Sequence, residues 1–448
     1  MDFRFWIEVL RKSVNETNIK IVAQSKIENR KSKIMNAFWS RFPGRDELMA
    51  WYETNGKGTI YSVNAHLHTP YSFSAFTGIP QALDMAVTEK VQVMGINDFY
   101  TTDGYGEWAL EAATRGIFPL FNIEYISLKK EDQLAGLKVN DPGNPGRTYL
   151  SGKGLSFPPK MEEPYASALD SVRTESNNHV SGMCGKLNAL LLTVDAGFSL
   201  DFDAIRSGMT RGMVRERHLA KALREKISAV FTTTEEQLAF YQRLFGGKSL
   251  VSDPDAPSSI ENELRNNLLK AGGPAFIPEP EAAFLDSEMV CKMIRNQGGI
   301  PTYPFLADDS NGNFTPFEAP KEKAAQILKE RNIWSVELIT TRNSPEVLEA
   351  YATYFYNEGF VVTLGSEHNT PAMEPIELFA RKKTTLSSQV KEINYKGACI
   401  VAAHQYLVAT EGKGYLDANG KPDIENRDQF IAIGMALIEY LTQHSHGR

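Results

Sequence analysis

Two histidines one residue apart close an apolar run in Asn64-Ala65-His66-Leu67-His68-Thr69-Pro70-Tyr71-Ser72. Residues i and i+2 of a strand face the same side, so His66 and His68 are placed to share one divalent ion, or to sit in ordinary hydrogen bonds. Glu124 stands inside the apolar segment Asn122-Ile123-Glu124-Tyr125. A carboxylate buried there without a partner is costly, and either a metal or a salt bridge resolves that cost. Asp98, in Gly95-Ile96-Asn97-Asp98-Phe99, fits a general acid or base as well as it fits a turn. Glu367 and His368 follow Gly365-Ser366. An acid beside a histidine at a strand end suits a mixed nitrogen and oxygen site for Zn, Mn or Fe, although His368 equally fits a loop histidine bonded to backbone.

These residues need a scaffold that gathers strand ends. Segments 60–65, 91–97, 118–128, 300–303, 333–340 and 360–364 read as strands, and 79–90, 103–115, 281–296, 321–331 and 345–357 as helices. Their alternation implies a parallel sheet with crossover helices. In β/α barrels the active site lies at the strand C-termini, which is where the histidines and acids fall. The stretch DPGNPGRTYLSGKG reads as a loop, beside the site or on the surface. Residues 175–270 are polar and helical and read as an insertion. The expectation is an α/β fold, a distorted β/α barrel over 59–380 interrupted by that insertion. A helical N-terminal extension (1–58, with Trp6, Trp39 and Trp51) and a mainly helical C-terminal segment (381–448) flank it.

The chain has 448 residues, 42% of them hydrophobic, and a formal net charge of -7. Such a composition supports a sizeable core. The acidic balance argues against binding duplex nucleic acid, which needs a basic surface. Apolar runs fall short of the ~18 residues that cross a bilayer. Arg4, Glu8, Arg11 and Lys12 break up the apolar N-terminus, unlike a signal peptide. Cys184, Cys291 and Cys399 lie far apart, as buried reduced thiols would. A cytoplasmic location is the expectation.

HLHTPYS, GINDFYTTDGYGEWALEAATRGIFPLFNIEYIS, GGIPTYPFLAD and TLGSEHNTP resemble, in order, the successive motifs of the PHP (polymerase and histidinol phosphatase) domain over about residues 60–375. NNHVSGMCGKLNALL and RGMVRERHLAKALREK look like the helical insert of PHP phosphoesterases acting on nucleotides and oligonucleotide ends, with Arg217 to Leu223 approximating a segment that reaches the site around His218. The resemblance implies a PHP-type barrel and a trinuclear metal site. Its first metal maps onto His66, His68 and Glu124, with Glu367 in place of an Asp. Its third maps onto Phe73, Phe99 and Asn369, and a phenylalanine ligates nothing. The histidines of its second fall on Tyr149 and Tyr303, poor neutral-pH ligands given an ordinary tyrosine pKa of about 10. One ion is therefore expected, or a rearranged pair that recruits His368 and His218.

The functional expectation is a metal-dependent hydrolase acting on a phosphate ester or related small anionic molecule. Asp98 or His218 would be the acid or base, and Arg217, Lys153, Tyr149 and Tyr303 would hold the substrate, with Arg215 and Arg342 as further candidates; each cation also fits a solvated surface charge. One metal equally suits an ester or lactone hydrolase, or a lyase on a sugar acid. A degenerate PHP domain that binds a ligand or partner without turnover is the rival. His404, in an apolar helical run, reads as structural, and His444 and His446 as solvated.

Overall fold

The computed structural model describes residues 38–309 and 311–445. The proposed N-terminal extension is thus seen only from residue 38, and Trp6 and His446 lie outside the described residues. Seven strands form one sheet in sequence order: β1 (Val63–Leu67), β2 (Val93–Phe99), β3 (Phe118–Leu128), β4 (Arg147–Lys153), β5 (Ile300–Phe305), β6 (Ser335–Ile339) and β7 (Val361–Gly365). β4 runs antiparallel to both neighbours, and the other pairs are parallel. A parallel bridge joins Leu67 to Glu367. There the Glu367 N–H donates to the His66 carbonyl at 3.0 Å and the His68 N–H to the Glu367 carbonyl at 2.7 Å. The sheet is thereby nearly closed into an α/β barrel. Glycine is required at this seam, because a Cβ on Gly365 would stand 2.2 Å from the His66 Cβ.

Helices cover the outside of the sheet for the reason amphipathic segments usually do. Ile79–Thr88 buries Ile79, Ala82, Leu83 and Ala86, the i, i+3, i+4, i+7 stripe of a helix lying on a core. Pro345–Asn357 starts where Ser344 accepts a hydrogen bond from the Val347 N–H, with proline at the first helical position. Ser388–Glu411 and Arg427–His444 pack on each other, and the first of them also lies against β7 and β1.

One strand departs from expectation. Residues 147–153 form β4 rather than a loop. Its inward residues Tyr149, Ser151 and Lys153 are polar and its flanks are rich in Gly and Pro, so no apolar alternation marks it. The reason lies in the barrel interior. Ordinary barrels fill it with branched apolar side chains, but here Asn97, Ser151, Lys153, Thr302, Ser335, Glu337 and Thr363 are all buried.

Between β4 and β5 the chain leaves the sheet for helices that include Tyr165–Thr193, Phe202–Met209, Glu216–Val230, Thr234–Leu244 and Pro257–Leu264. They enclose an apolar core of their own, containing Leu187, Leu219, Leu223, Phe240 and Leu264. The first helix joins both bodies, since its Leu169 and Val172 belong to the barrel core. All three cysteines are buried and unpaired. Among the described residues no helix is long and apolar enough to cross a membrane.

Candidate metal centre

His66 is the last residue but one of β1 and His68 follows the strand, while Glu124 reaches the same point from β3. The two Nε2 atoms are 3.2 Å apart. Glu124 Oε2 lies 3.0 Å from that of His68 and 3.6 Å from that of His66. All three residues are buried. Among the described residues they form a group whose ligand atoms lie within 4.8 Å of one another.

Each ring is held from behind. His66 Nδ1 meets Glu337 Oε2 at 2.6 Å, and the other oxygen of Glu337 pairs with Lys153 Nζ at 2.5 Å. Lys153 also donates to Asn97 Oδ1 at 3.2 Å and to the Ala65 carbonyl at 3.3 Å. His68 Nδ1 meets Ser72 Oγ at 3.1 Å, and that hydroxyl donates to Asp98 Oδ1 at 2.6 Å. With the serine proton committed to Asp98, the His68 ring donates from Nδ1. His66 donates from Nδ1 to Glu337. Both Nε2 lone pairs are left aimed at one point, the arrangement in which second-shell acceptors fix metal-binding imidazoles.

Three lone pairs converging in a buried space repel unless something positive lies between them. Glu124 Oε2 is buried and receives no hydrogen bond of acceptable geometry. Burial by itself would depress the His66 pKa, but the charges of Glu337 and Glu124 and the hydrogen bond to Glu337 raise it to about 9. Glu124 is held well below the usual carboxylate range by the two histidines, against the opposing effect of burial. A proton therefore takes the place at neutral pH when no cation does. Two imidazoles and one carboxylate are a donor set that suits Zn and its neighbours with coordination positions left open, so the residues present fit a divalent ion. The Asn97 amide nitrogen approaches His66 Nε2 at 2.9 Å, and has Ser151 Oγ at 3.3 Å as a second acceptor when that lone pair is used.

A cleft of about 360 Å³ opens over Glu124, walled by Phe73, Phe99 and Tyr149 and by four arginines, Arg215, Arg217, Arg265 and Arg342. Arg265 is committed to Glu216 at 2.6 Å and Arg342 to Glu367 at 2.7 Å. Arg215 and Arg217 instead lie over aromatic rings, 5.0 Å from the centre of Phe99 and 5.7 Å from that of Phe73, and Arg217 spends one N–H on Asn262 Oδ1 at 3.1 Å. Both come from the insertion, at the start of Glu216–Val230. Burial, and then the neighbouring Arg265, lower the Arg217 pKa to about 10. An anion in the cleft would relieve that strain.

Several residues singled out from the sequence lie elsewhere than expected. Lys153 sits beneath the cluster, fully buried on Glu337, so it holds a carboxylate rather than a substrate. Asn97 and Phe99 share the inward face of β2, which turns Asp98 away from the cleft to a place behind Ser72. His218 accepts from the Arg215 N–H at 2.9 Å and packs against Phe73. Burial, then the Arg215 charge, push its pKa down to about 3, out of range for proton transfer near neutrality. Glu367 lines the mouth beside Arg342, outside the converging group. His368 uses both ring nitrogens, on Ser366 Oγ and the Glu374 carbonyl at 2.8 Å each, and stacks on Phe76. Tyr303 alternates with inward Thr302 and Pro304, so its hydroxyl faces out of the barrel and donates to Glu318 at 2.8 Å. Tyr149, Arg217, Phe73, Phe99 and Asn369 do line the cleft.

Glu337 and Asn97 belong to the buried network around the cluster, and the sequence reading gives neither a role. Glu337 carried a usable signal: it is a carboxylate inside the apolar strand Ser335–Ile339, the same anomaly that marks Glu124.

Fold and cluster together define an α/β barrel with a candidate two-histidine, one-carboxylate metal centre at the end of its strands. No protein-family model matches the chain, and no curated protein does. Solved structures similar to it include a candidate metal-dependent phosphoesterase from Bifidobacterium adolescentis, at 16% identity and a TM-score of 0.47, covering 75% of this chain and 96% of that one. An amidohydrolase from Chromobacterium violaceum, solved with bound sulfate and no metal, is similar at 16% identity and a TM-score of 0.48, covering 74% and 96%.

Proposed function

We propose that this chain is a metal-dependent hydrolase of PHP type, holding one divalent ion, Zn, Mn or Fe, on His66, His68 and Glu124. Its substrate is a small molecule with an anionic group, a phosphate ester in the first instance. The observation that carries this reading is the convergence of three buried lone pairs, each oriented from behind, on the floor of an arginine-lined cleft. When bound, such an ion supplies Lewis acidity and makes water a nucleophile near neutral pH.

The remaining work falls to the chain. Glu337 and Ser72 fix the two rings, so that little reorganisation accompanies binding. Arg215 and Arg217 orient the anion through planar, multiply donating guanidinium groups. Phe73 and Phe99 keep water from the floor of the cleft, where every charge interaction gains strength. Asp98 acts through Ser72 and His68 and is a positioning residue.

Metal analysis of protein purified without chelator tests the reading. About one ion per chain is expected, as in three-ligand catalytic centres, with His66→Ala removing it and chelation abolishing phosphate-ester hydrolysis. Protein with well under half an ion per chain, or a His66→Ala variant with unchanged content, overturns it.

A further inference from the structure

A second chamber of about 590 Å³ adjoins the cleft. The two share Pro142, Leu306 and Arg342 as a common wall. Beyond that wall the chamber is lined by Ala307, Phe314 and Pro316, so it is mostly hydrocarbon. Most of its polar groups are already engaged; Lys138 and Thr341, both exposed, are the members without a side-chain partner among the described residues. Asp308 pairs with Arg381 at 2.9 Å. Asp309 accepts from the backbone N–H groups of Asn311 and Asn313 at 2.8 and 2.9 Å. Arg342 is held by Glu367.

The dividing wall is also fixed in place. The carboxylate of Glu318, wholly buried, accepts from the N–H groups of Leu306 at 3.2 Å and Ala307 at 2.8 Å. Ala307 takes a left-handed φ of 51° there, so the turn holds a conformation that a free loop would leave. Phe314 stacks on Tyr351 with ring centres 5.7 Å apart. A preformed apolar surface of this kind binds without an ordering cost, and its volume falls in the ~300–1,000 Å³ range of small-molecule sites.

We infer that the two chambers form one bipartite site, and that the substrate carries an uncharged, carbon-rich ring on its anionic head. The inference rests on the anionic-substrate reading above and adds to it the nature of the other half. The head lies over Glu124, between Arg215 and Arg217. The ring crosses the Leu306 wall and lies against Phe314 and Pro316. A cationic or strongly polar body is disfavoured, because it would lose water in a chamber whose carboxylates are already paired and whose wall is mostly hydrocarbon.

Two phosphonates with unhydrolysable C–P bonds separate the halves: methylphosphonate and (1-naphthyl)methylphosphonate, titrated calorimetrically into the purified protein. The naphthyl compound is expected to bind at least about tenfold tighter, the scale of one buried ring. Thr341→Trp, which fills the chamber from an exposed position, and Pro316→Glu, which charges its wall, should both erase that preference and leave methylphosphonate affinity unchanged. Equal affinity of the two phosphonates for the unmodified protein overturns the bipartite site while leaving the anionic head standing. Failure of both compounds to bind overturns the anionic reading and this inference with it. A tenfold preference that survives both substitutions places the ring elsewhere and also overturns the inference.

Discussion

The floor of the barrel and the wall supplied by the insertion face each other across one cleft, yet they are built by opposite rules. On the floor, Lys153, Glu337 and His66 are wholly buried, and each charge is answered at 2.5 to 2.6 Å. On the wall, Arg215 and Arg217 rest on phenylalanine rings and make no direct ion pair among the described residues, although Glu216 and Glu279 act on Arg215 from further off. The floor satisfies its charges internally, which fixes geometry; the wall leaves positive charge for a ligand to answer. A buried ion pair seldom adds net stability over apolar residues of the same size. The Lys153–Glu337 pair is therefore better understood as orientation for His66 than as a fold-stabilising contact.

The largest expected effect tests that distinction directly. Lys153→Met leaves the buried Glu337 with only the His66 ring to answer its charge and should cost about 3–5 kcal/mol in urea unfolding. Adding Glu337→Leu removes the unpaired charge and should return stability to within about 1 kcal/mol of the starting protein. That double variant should still bind metal about 10–100-fold more weakly, because His66 has lost the acceptor that orients it. Full metal affinity in the double variant would show that the floor has no role in positioning.

Acidity gives the next effect. The His66 pKa is raised from 6.5 to about 9, so the folded state binds this proton more tightly than the unfolded chain does. Its stabilising contribution to metal-free protein is complete below pH 6.5 and is lost as pH rises through about 9. A metal must displace the same proton, so its affinity should climb by about tenfold per pH unit over that interval and then level off. Thermal unfolding from pH 6 to 9.5, with chelator and with added metal, checks both halves. Chelator-treated protein whose stability is unchanged across that range would detach His66 from the floor network.

The same contrast explains what could be read from the sequence. The outward faces of the strands are apolar, and the expected strand at 118–128 coincides with β3. Glu124 stood out because it interrupts such a face-alternating run. β4 was hidden because the barrel interior is polar, so its inward Tyr149, Ser151 and Lys153 look like loop residues. Contacts among Lys153, Glu337 and His66 join β4, β6 and β1, and depend on barrel closure that no local pattern encodes. The turn after β7 is the other blind point. Glu367 and His368 both adopt left-handed φ, 66° and 55°, which places the glutamate at the mouth and the histidine on Ser366. Motif spacing put both near the metal, and backbone dihedrals are not visible in spacing. Tyr303, by contrast, was open to a period-2 reading that sets it opposite Thr302 and Pro304.

Phe99 is where floor and wall touch, and it yields the smallest and most discriminating effect. Its ring stacks on His68 with centres 4.7 Å apart and carries the Arg215 guanidinium at 5.0 Å. Replacement by leucine keeps most of the apolar volume and removes the ring face. The lost cation–π contact amounts to about 0.5–1 kcal/mol, so KM for an anionic substrate should rise about two- to fivefold. The orientation of His68 is set by Ser72 at 3.1 Å rather than by the ring, so metal affinity should be unaffected within error. Measuring both quantities on one preparation separates the two regions. If Phe99→Leu weakens metal binding more than it raises KM, the ring belongs to the floor and does not support the arginine wall.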